Sequence, residues 1–202
     1  MSSSSHPQVL AEESRDPRVV RSRAAILRAA ADLLIESGAS AVTIGGISER
    51  SGVAKTTIYR QWKSRSQLVF DAFESLLAPA THISEPGPIR QQLEALLIPL
   101  VRGLTSSEWA LAVPALVDAS ERDPEMRQLL RGFLAGRKEN GRSTLRAAMA
   151  RGELRPDLVV DEAVTMLIGP IYYRRLVSGE TLDERFVAEI VDQFLRGAAR
   201  TS

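Results

Sequence analysis

The chain has 202 residues, of which 44% are hydrophobic and 5% aromatic, and its formal net charge is +1. It contains no cysteine, so disulfides, thiolate catalysis and cysteine-ligated metal sites are excluded. No apolar run reaches the ~18 residues that a transmembrane helix needs. The polar segment 1–14 lacks the apolar centre of a signal peptide. We therefore expect a cytoplasmic protein without membrane contact, whose residues 1–14 are a disordered tail or a remnant of expression.

The charge is distributed unevenly along the chain. Residues 1–70 carry 10 Lys and Arg against 6 Asp and Glu, a net charge of +4. Residues 71–202 carry 16 against 19, a net charge of −3. A basic first third indicates the part of the chain that would meet a polyanion such as nucleic acid, although the difference is modest and decides little by itself.

Apolar residues with the 3.6-residue period of a helix predict four helices in the first third of the chain. Capping residues and helix-ending glycines mark their boundaries. The predicted elements are a helix over 18–37 with Gly38 as C-cap, a short helix that Thr43 caps and Ser51-Gly52-Val53 ends, a third over 54–62, and a fourth that Ser64 caps.

Pro79 and the stretch 82–88 interrupt this pattern, because proline and glycine there cannot continue a helix. Further helices are predicted over 89–102, 107–119, 124–151, 159–178 and 182–199. No segment alternates β-branched residues as a strand does, and the sequence contains no internal repeat or metal-type cluster. The predicted fold class is therefore all-α, with about nine helices.

Two short helices that are separated by a glycine turn and packed on a longer first helix form a helix-turn-helix. The buried joints of this motif need apolar residues, which Ile47, Val53 and Ile58 provide. Its second helix needs exposed polar residues, and this chain offers Lys55, Thr56, Thr57, Arg60 and Gln61. Many helical hairpins share such a pattern, so it is moderately specific.

The stretch 43–68, TIGGISERSGVAKTTIYRQWKSRSQL, resembles the DNA-binding domain of the tetracycline-repressor (TetR) family. Three features carry the resemblance. They are the Gly-Val turn, Tyr59 followed three residues later by Trp62, and a basic residue followed by Leu at the start of the fourth helix. The upstream helix with Leu33-Leu34 and Gly38 also fits. Residues 151–157 and 167–174 resemble the family more weakly.

The resemblance implies a helix-turn-helix domain over 15–64 and a ligand-binding and dimerisation domain over 65–202. It implies a homodimeric repressor that leaves a near-palindromic DNA operator when a small effector binds. The residues that it implies in DNA binding are Thr43, Ala54, Lys55, Thr56, Thr57, Tyr59, Arg60, Gln61 and Arg65.

Each of these side chains has an expected role. Thr43, Tyr59 and Arg65 match positions that contact the DNA backbone, whereas Arg60 can pair with guanine and Gln61 with adenine. Tyr59 and Trp62 alternatively pack between helices, and Arg60 is alternatively a solvated surface charge. The arginines before the first helix and at its start either contact DNA or form a solvated helix face; they are Arg15, Arg18, Arg21 and Arg23.

Gly45-Gly46 departs from the family pattern, because members more often carry charged residues or alanine there. Two glycines inside a helix cost about 1 kcal/mol each relative to alanine. Either the second helix is marginal until DNA or packing orders it, or the glycines let two backbones approach closely. The sequence leaves both open.

The last two helices, by the same resemblance, pair with their copies across a two-fold axis. The apolar residues expected in this dimer interface are Val164, Leu167, Ile168, Ile171, Phe186, Val187, Ile190, Val191 and Phe194. Burial within a single subunit is the alternative. Gly169-Pro170 predicts a kink that either opens space for a ligand or is a packing bend.

Apolar and aromatic side chains of the larger domain suggest an apolar or aromatic effector. The candidates for contact with it are Phe73, Leu97, Trp109, Leu116, Met126, Phe133, Met166, Tyr172 and Tyr173. The alternative is that these apolar helix positions belong to the hydrophobic core and contact no ligand.

An enzyme is not expected, and neither is a cofactor. His6 and His82 lie in no catalytic motif, and the sequence contains no phosphate-binding glycine loop or nucleophile elbow. A second interpretation keeps the DNA-binding dimer but replaces the small effector by a protein partner or by no effector. An activator is a further variant, because the position of the operator sets the sign of regulation.

Overall fold

A computed structural model describes residues 16–77 and 87–199. These ranges contain nine α-helices and no β-strand, which confirms the all-α prediction. The helices are α1 (Pro17–Ser37), α2 (Ile44–Ser51), α3 (Lys55–Gln61), α4 (Arg65–Ser75), α5 (Ile89–Ser106), α6 (Glu108–Arg122), α7 (Pro124–Ala150), α8 (Val160–Tyr173) and α9 (Glu184–Ala198). The predicted tail 1–14, Arg15, Pro79 and His82 lie outside the described residues.

Side-chain caps begin several helices at the positions that the sequence predicts. Thr43 Oγ1 accepts a hydrogen bond from the Gly46 N–H at 3.1 Å, and Ser64 Oγ accepts one from the Gln67 N–H at 3.0 Å. Asp123 Oδ1 accepts one from the Glu125 N–H at 2.8 Å, in front of α7. Each such cap contributes ~1 kcal/mol, because it satisfies a backbone donor that has no partner within the helix.

Three helix ends differ from the prediction by three residues or more. The fifth helix continues to Ser106, four residues beyond the predicted end at 102. The sixth helix continues to Arg122, three residues beyond the predicted end at 119. The eighth helix ends at Tyr173 and continues as a π-helical turn over Arg174–Ser178, in which the Gly179 N–H donates to the Arg174 carbonyl at 2.9 Å. The prediction of a regular helix to 178 missed this widening, because side-chain periodicity does not report a single π turn.

The described residues form two compact units. The first contains 16–77 and 112–130, and the second contains 87–111 and 131–199. The helices α6 and α7 each contribute residues to both units. These units are groups of packed residues, and the functional boundary between 64 and 65 stays a prediction.

In the first unit, α1 packs against α2 and α4. Its buried face carries Ile26, Ala30 and Leu34, whose spacing places them on one side of the helix. The joints Ile47 of α2 and Ile58 of α3 are fully buried, as the helix-turn-helix pattern predicts, whereas the third predicted joint, Val53, is half-buried. Burial of each such side chain contributes about 1.5–3 kcal/mol.

In the second unit, α9 packs against α5 and α8. The Glu153 carboxylate accepts a hydrogen bond from the Ile89 N–H at 2.8 Å, at the start of α5. The Arg155 N–H donates to the Ala198 carbonyl at 3.0 Å, at the end of α9. The segment that follows α7 therefore joins the start of α5 to the end of α9.

Within residues 16–77 and 87–199, no single helix is long and apolar enough to cross a membrane. The helices α5 and α6 reach the required length and hydropathy only as a bent pair counted together. The same residues contain no group of three or more His, Cys, Asp or Glu side chains that could hold a metal ion.

Candidate nucleic-acid interface

The turn between α2 and α3 is held by side chains from its own residues. Ser48 Oγ donates to the Val53 carbonyl at 2.8 Å, and the Val53 N–H donates to Ser51 Oγ at 3.2 Å. Gly52 has φ 70° and ψ 8°, a left-handed conformation that a side chain would strain. Because its hydrogen bonds are local, the turn fixes the start of α3 relative to α2.

The helix α3 presents one buried side chain and a polar exposed face. Ile58 lies in the core, whereas Tyr59 is 66% exposed, which disfavours the packing interpretation of this tyrosine. Its phenol is free to reach a partner outside the chain. The other residues that the resemblance implies in DNA binding divide into the exposed Thr43, Ala54, Lys55, Thr56, Arg60 and Arg65 and the half-buried Thr57 and Gln61.

Trp62 is a core residue just after α3, with 4% of its surface exposed. Its indole Nε1 donates to Asp71 Oδ2 at 2.9 Å, and the Arg23 guanidinium lies 4.6 Å from the ring centre. Arg23 Nη2 also donates to Asp71 Oδ2 at 2.7 Å. The cluster of Arg23, Trp62 and Asp71 therefore joins the end of α3, the recognition helix of the helix-turn-helix, to α1 and α4.

The arginines near the start of α1 do not share one role. Arg23 is engaged by Asp71 and Trp62, which gives it a structural contact, and a further contact with DNA stays a prediction. Arg21 is exposed, and its Nε donates to the Pro17 carbonyl at 3.1 Å. Arg18 is exposed, and its contact with DNA stays a prediction.

Arg65 lies at the first position of α4. Its guanidinium donates to the Val42 carbonyl at 2.8 Å and to the Ala39 carbonyl. Both carbonyls belong to the loop between α1 and α2, so Arg65 joins this loop to α4. A guanidinium has five N–H donors, and contact of the others with the DNA backbone stays a prediction.

The two glycines of α2 have different surroundings. A Cβ on Gly46 would lie 3.3 Å from Thr43 Oγ1 and 3.5 Å from Leu33 Cδ1, so α2 approaches its cap and α1 closely there. A Cβ on Gly45 would lie 3.9 Å from Thr43 Oγ1, which is ordinary contact. The close-approach interpretation therefore fits Gly46, whereas the space around Gly45 does not require glycine.

The sequence interpretation missed two ionic contacts that support the motif. Arg50 of α2 donates to both carboxylate oxygens of Glu36 on α1, at 2.9 and 2.7 Å. This contact lowers the pKa of Glu36 through the hydrogen bonds from Arg50. The second is the ion pair between Arg23 and Asp71. The sequence contained an indication of it, because Asp71 is an acidic residue between Phe70 and Ala72 in the apolar part of α4.

The candidates for effector contact are divided between the two units, and their contact with a ligand stays a prediction. Phe73, Leu116 and Met126 are buried in the first unit. Met166 and Tyr173 are exposed on α8, and Trp109 packs on Gly103 of α5. Leu97, Phe133 and Tyr172 belong to the second unit. Burial raises the pKa of the Tyr172 phenol, and the positive charge of Arg137 opposes that rise.

The residues expected in the dimer interface lie mostly inside the chain. Seven of them are buried: Val164, Leu167, Ile171, Val187, Ile190, Val191 and Phe194. Side chains that their own subunit covers offer little area to a partner, and their place in a dimer interface stays a prediction. Ile168 and Phe186 are half-buried, and the Arg174 guanidinium lies 3.4 Å from the centre of the Phe186 ring.

Comparison with known proteins covers both parts of the chain. Residues 26–72 match the family described as "Bacterial regulatory proteins, tetR family". Residues 83–194 match the one described as "Tetracyclin repressor-like, C-terminal domain". The chain belongs to the TetR family. Members are DNA-binding transcriptional regulators of the helix-turn-helix type rather than enzymes, and they bind DNA as dimers.

Individual TetR-family relatives span nearly the whole chain. The uncharacterized HTH-type transcriptional regulator YdeS of Bacillus subtilis is 32% identical over 187 residues, 92% of this chain and 94% of the relative. The DNA-binding transcriptional repressor TetR of Mycobacteroides abscessus is 30% identical over 181 residues, 85% of this chain and 90% of the relative. The crystal structure of the TetR family transcription regulator SCO0332 has a TM-score of 0.64 and 31% identity, covering 89% of this chain and 99% of its own.

Proposed function

We propose that this TetR-family chain is a dimeric repressor that leaves a near-palindromic operator when a small apolar or aromatic molecule binds its second compact unit. The observation that carries the proposal is the face of α3, where Lys55, Thr56, Tyr59 and Arg60 are exposed around the buried Ile58. A short helix with a buried anchor and a polar exposed face fits the major groove of DNA.

The proposed contacts with DNA follow from the chemistry of each exposed group. Arg60 donates two hydrogen bonds to guanine, and Gln61 pairs with adenine. The Tyr59 phenol and the Thr43 hydroxyl donate to phosphates, which position the helix without reading sequence. Thr43 can do this while it caps α2, because its oxygen accepts the Gly46 N–H and its own proton remains available.

The exposed face of α8, rather than its buried face, supports dimerisation. Met166 and Tyr173 of α8 are 66% and 58% exposed. Val159 at its N-cap and Val177 in the π-helical turn after it are 63% and 69% exposed. Val159, Met166 and Tyr173 are seven residues apart, so they lie on one side of the helix. An exposed apolar row of this length is typical of a protein interface, and a two-fold axis would pair it with its own copy.

The sign of regulation is supported by one relative, and the class of effector by one group of side chains in the second unit. The relative from Mycobacteroides abscessus is described as a repressor, which supports the same sign here. In the second unit the Arg137 guanidinium lies 5.1 Å from the centre of the Phe133 ring, and its charge acts on Tyr172. An aromatic molecule would find two rings and a cation there.

The proposal is tested by capturing genomic DNA fragments at ~0.15 M salt, where nonspecific phosphate binding is weakened. The test variant is the double substitution Lys55→Ala/Tyr59→Ala. The matched control is Arg185→Ala/Arg196→Ala, which removes positive charge from the exposed face of α9. We expect wild type and control to enrich one near-palindromic sequence and the test variant to enrich none.

Wild-type enrichment no greater than that of the test variant would reject sequence-specific binding through α3. Release of DNA is tested separately. Compounds that are processed by the proteins encoded beside the captured site are added as ligands in an operator-binding titration. A compound that binds at saturation without changing operator affinity would reject the repressor-release part, because an effector acts only through a difference in affinity between two states.

A further inference from the structure

Three consecutive side chains at the start of α4 face two different parts of the first unit. Arg65 donates to the carbonyls of Ala39 and Val42, in the loop before α2. Ser66 Oγ donates to the Asp123 carboxylate, and Ser64 Oγ donates to Glu125 Oε1 at 2.7 Å. We call Ser64, Ser66, Asp123 and Glu125 the junction, because they join the start of α4 to the turn between α6 and α7.

The junction links the caps of two helices. Ser64 is the N-cap of α4, and Asp123 accepts hydrogen bonds from the N–H groups of Glu125 and Met126 at the start of α7. Ser66 is only 5% exposed. Its hydrogen bond is the main cause that lowers the pKa of Asp123, so the carboxylate is ionised at neutral pH. A buried hydroxyl on a charged acceptor makes a strong and directional contact.

The position of the junction connects two functional parts of the chain. Ser64 follows the last residue of α3 by three positions, and Arg65 reaches the loop that precedes α2. At the other side, α6 and α7 continue from the turn as helices that contribute residues to the second unit. The hydrogen bonds of Ser64 and Ser66 therefore attach the first turn of α4 to the turn between α6 and α7.

We propose that Ser66 and Asp123 are positioning residues for DNA binding, through which the α6–α7 turn holds the recognition helix in its DNA-binding position. This inference rests on the proposed function. Without the Ser66–Asp123 hydrogen bond the start of α4 is held less firmly, and DNA must order it on binding. The two residues act as one contact, so their effects on operator affinity are not additive.

The experiment measures operator affinity of the full chain for Ser66→Ala, Asp123→Ala and the double variant, with the DNA fragment recovered by the genomic capture. We expect each single variant to weaken binding about tenfold, within the usual range of coupling between sites, and the double variant to weaken it no further. Asp123→Asn should restore most of the affinity, because the amide oxygen still caps α7 and its N–H₂ can donate to Ser66.

The matched control is Asp183→Ala. Asp183 caps α9 by accepting the Phe186 N–H at 2.8 Å, so its loss costs a helix cap without touching the junction. A loss of operator affinity in this control equal to that in Asp123→Ala would show an effect of stability alone and overturn the proposal. Wild-type affinity in Ser66→Ala, or additive effects in the double variant, would also overturn it.

Hydrogen exchange of the DNA-free protein separates failure of this inference from failure of the proposed function. We expect Ser66→Ala and Asp123→Ala, but not Asp183→Ala, to speed amide exchange in residues 39–43 and in α3. This result supports the junction even if no operator is captured. Unchanged exchange in both segments would overturn the inference whatever DNA the wild type binds.

Discussion

At the scale of single residues, Asp71 shows how one carboxylate organises the end of the recognition helix. It accepts hydrogen bonds from Arg23 at 2.7 Å, the Trp62 indole at 2.9 Å and Gln67 at 2.7 Å. Three donors around one half-buried anion keep it satisfied in a mostly apolar setting. Arg23, which the sequence left open as a DNA contact or a solvated helix face, is therefore part of the scaffold that supports α3.

We predict that Asp71→Ala lowers the free energy of unfolding by about 2 kcal/mol, because it leaves the Trp62 N–H and the Arg23 guanidinium without their acceptor. Urea denaturation followed by circular dichroism measures this loss. The control is Asp118→Ala, which breaks an exposed Asp118–Arg122 pair within α6 and should cost clearly less, because solvent screens the pair. Equal losses in the two variants would contradict the role given to Asp71.

At the scale of helices, contacts from distant segments complete backbone hydrogen bonding that the local sequence leaves open. Pro114 has no N–H, so the Ala110 carbonyl loses its normal partner in α6. Arg175 Nη2 donates to that carbonyl at 3.1 Å. Similarly, Pro88 provides no side-chain cap for α5, and Glu153 accepts the Ile89 N–H instead. These partners lie about 65 residues away in the chain.

The cap at Glu153 predicts a dependence of stability on pH. The hydrogen bonds from the Ile89 N–H and from Arg151 lower the pKa of Glu153 below its usual 4.5. A lowered folded-state pKa stabilises the fold above pH 4.5, and this contribution is lost as the pH falls through the folded-state value. We expect Glu153→Gln to be less stable than wild type by about 1 kcal/mol at pH 7.

Urea denaturation of wild type and Glu153→Gln at a series of pH values between 7 and 3 tests this expectation. The stability difference should shrink as the pH falls below 4.5, because the wild-type carboxyl becomes neutral. Glu189→Gln, in an exposed pair with Arg185, is the control and should show little difference at any pH. A Glu153→Gln difference that stays constant with pH would contradict the cap.

The contact between α5 and α6 predicts a requirement for glycine at 103. A Cβ there would lie 2.6 Å from Cζ2 of Trp109, closer than van der Waals contact permits. We expect Gly103→Ala to lower the free energy of unfolding by about 1–3 kcal/mol through overpacking. In thermal denaturation, Gly132→Ala in α7 should instead be neutral or stabilising, because no neighbouring atom lies within 4 Å. A stable Gly103→Ala variant would show that Trp109 can move away.

At the scale of the whole molecule, apolar helix faces are divided between the core and the surface. The apolar face of α9 is covered inside the chain, and its exposed face carries Arg185, Glu189, Gln193 and Arg196. The helix α8 has apolar residues on both sides, and Val159, Met166 and Tyr173 remain exposed. The proposed dimer therefore depends on α8 rather than on the apolar face of α9.

We predict that Met166→Asp/Tyr173→Asp converts the dimer to a monomer, because an interface would then bury charges without partners. Sedimentation velocity measures the state of association. Gln193→Asp, on the exposed face of α9, is the control and should remain dimeric. If the double variant also sediments as a dimer, the proposed α8 interface is wrong.

The sequence by itself determined the approximate helix positions, the local caps at Thr43 and Ser64, and the helix-turn-helix. These features depend on neighbours within one or two turns: Thr43 and Ser64 cap because the next N–H groups lack partners, and Gly52 ends α2 because its φ is positive. The polar face of α3 followed from the same short period, with Ile58 buried and Lys55 exposed. Local physics was sufficient for each of them.

Only the tertiary structure decided which apolar face each long helix buries and which charges are engaged. Periodicity marks the apolar sides of α8 and α9 but not the element that covers them, so Val187 and Val191 belonged equally well to a core or to an interface. Arg23 and Arg18 also look alike in sequence. Asp71, 48 residues beyond Arg23, separates their roles, because a contact at that distance depends on how α1 and α4 pack.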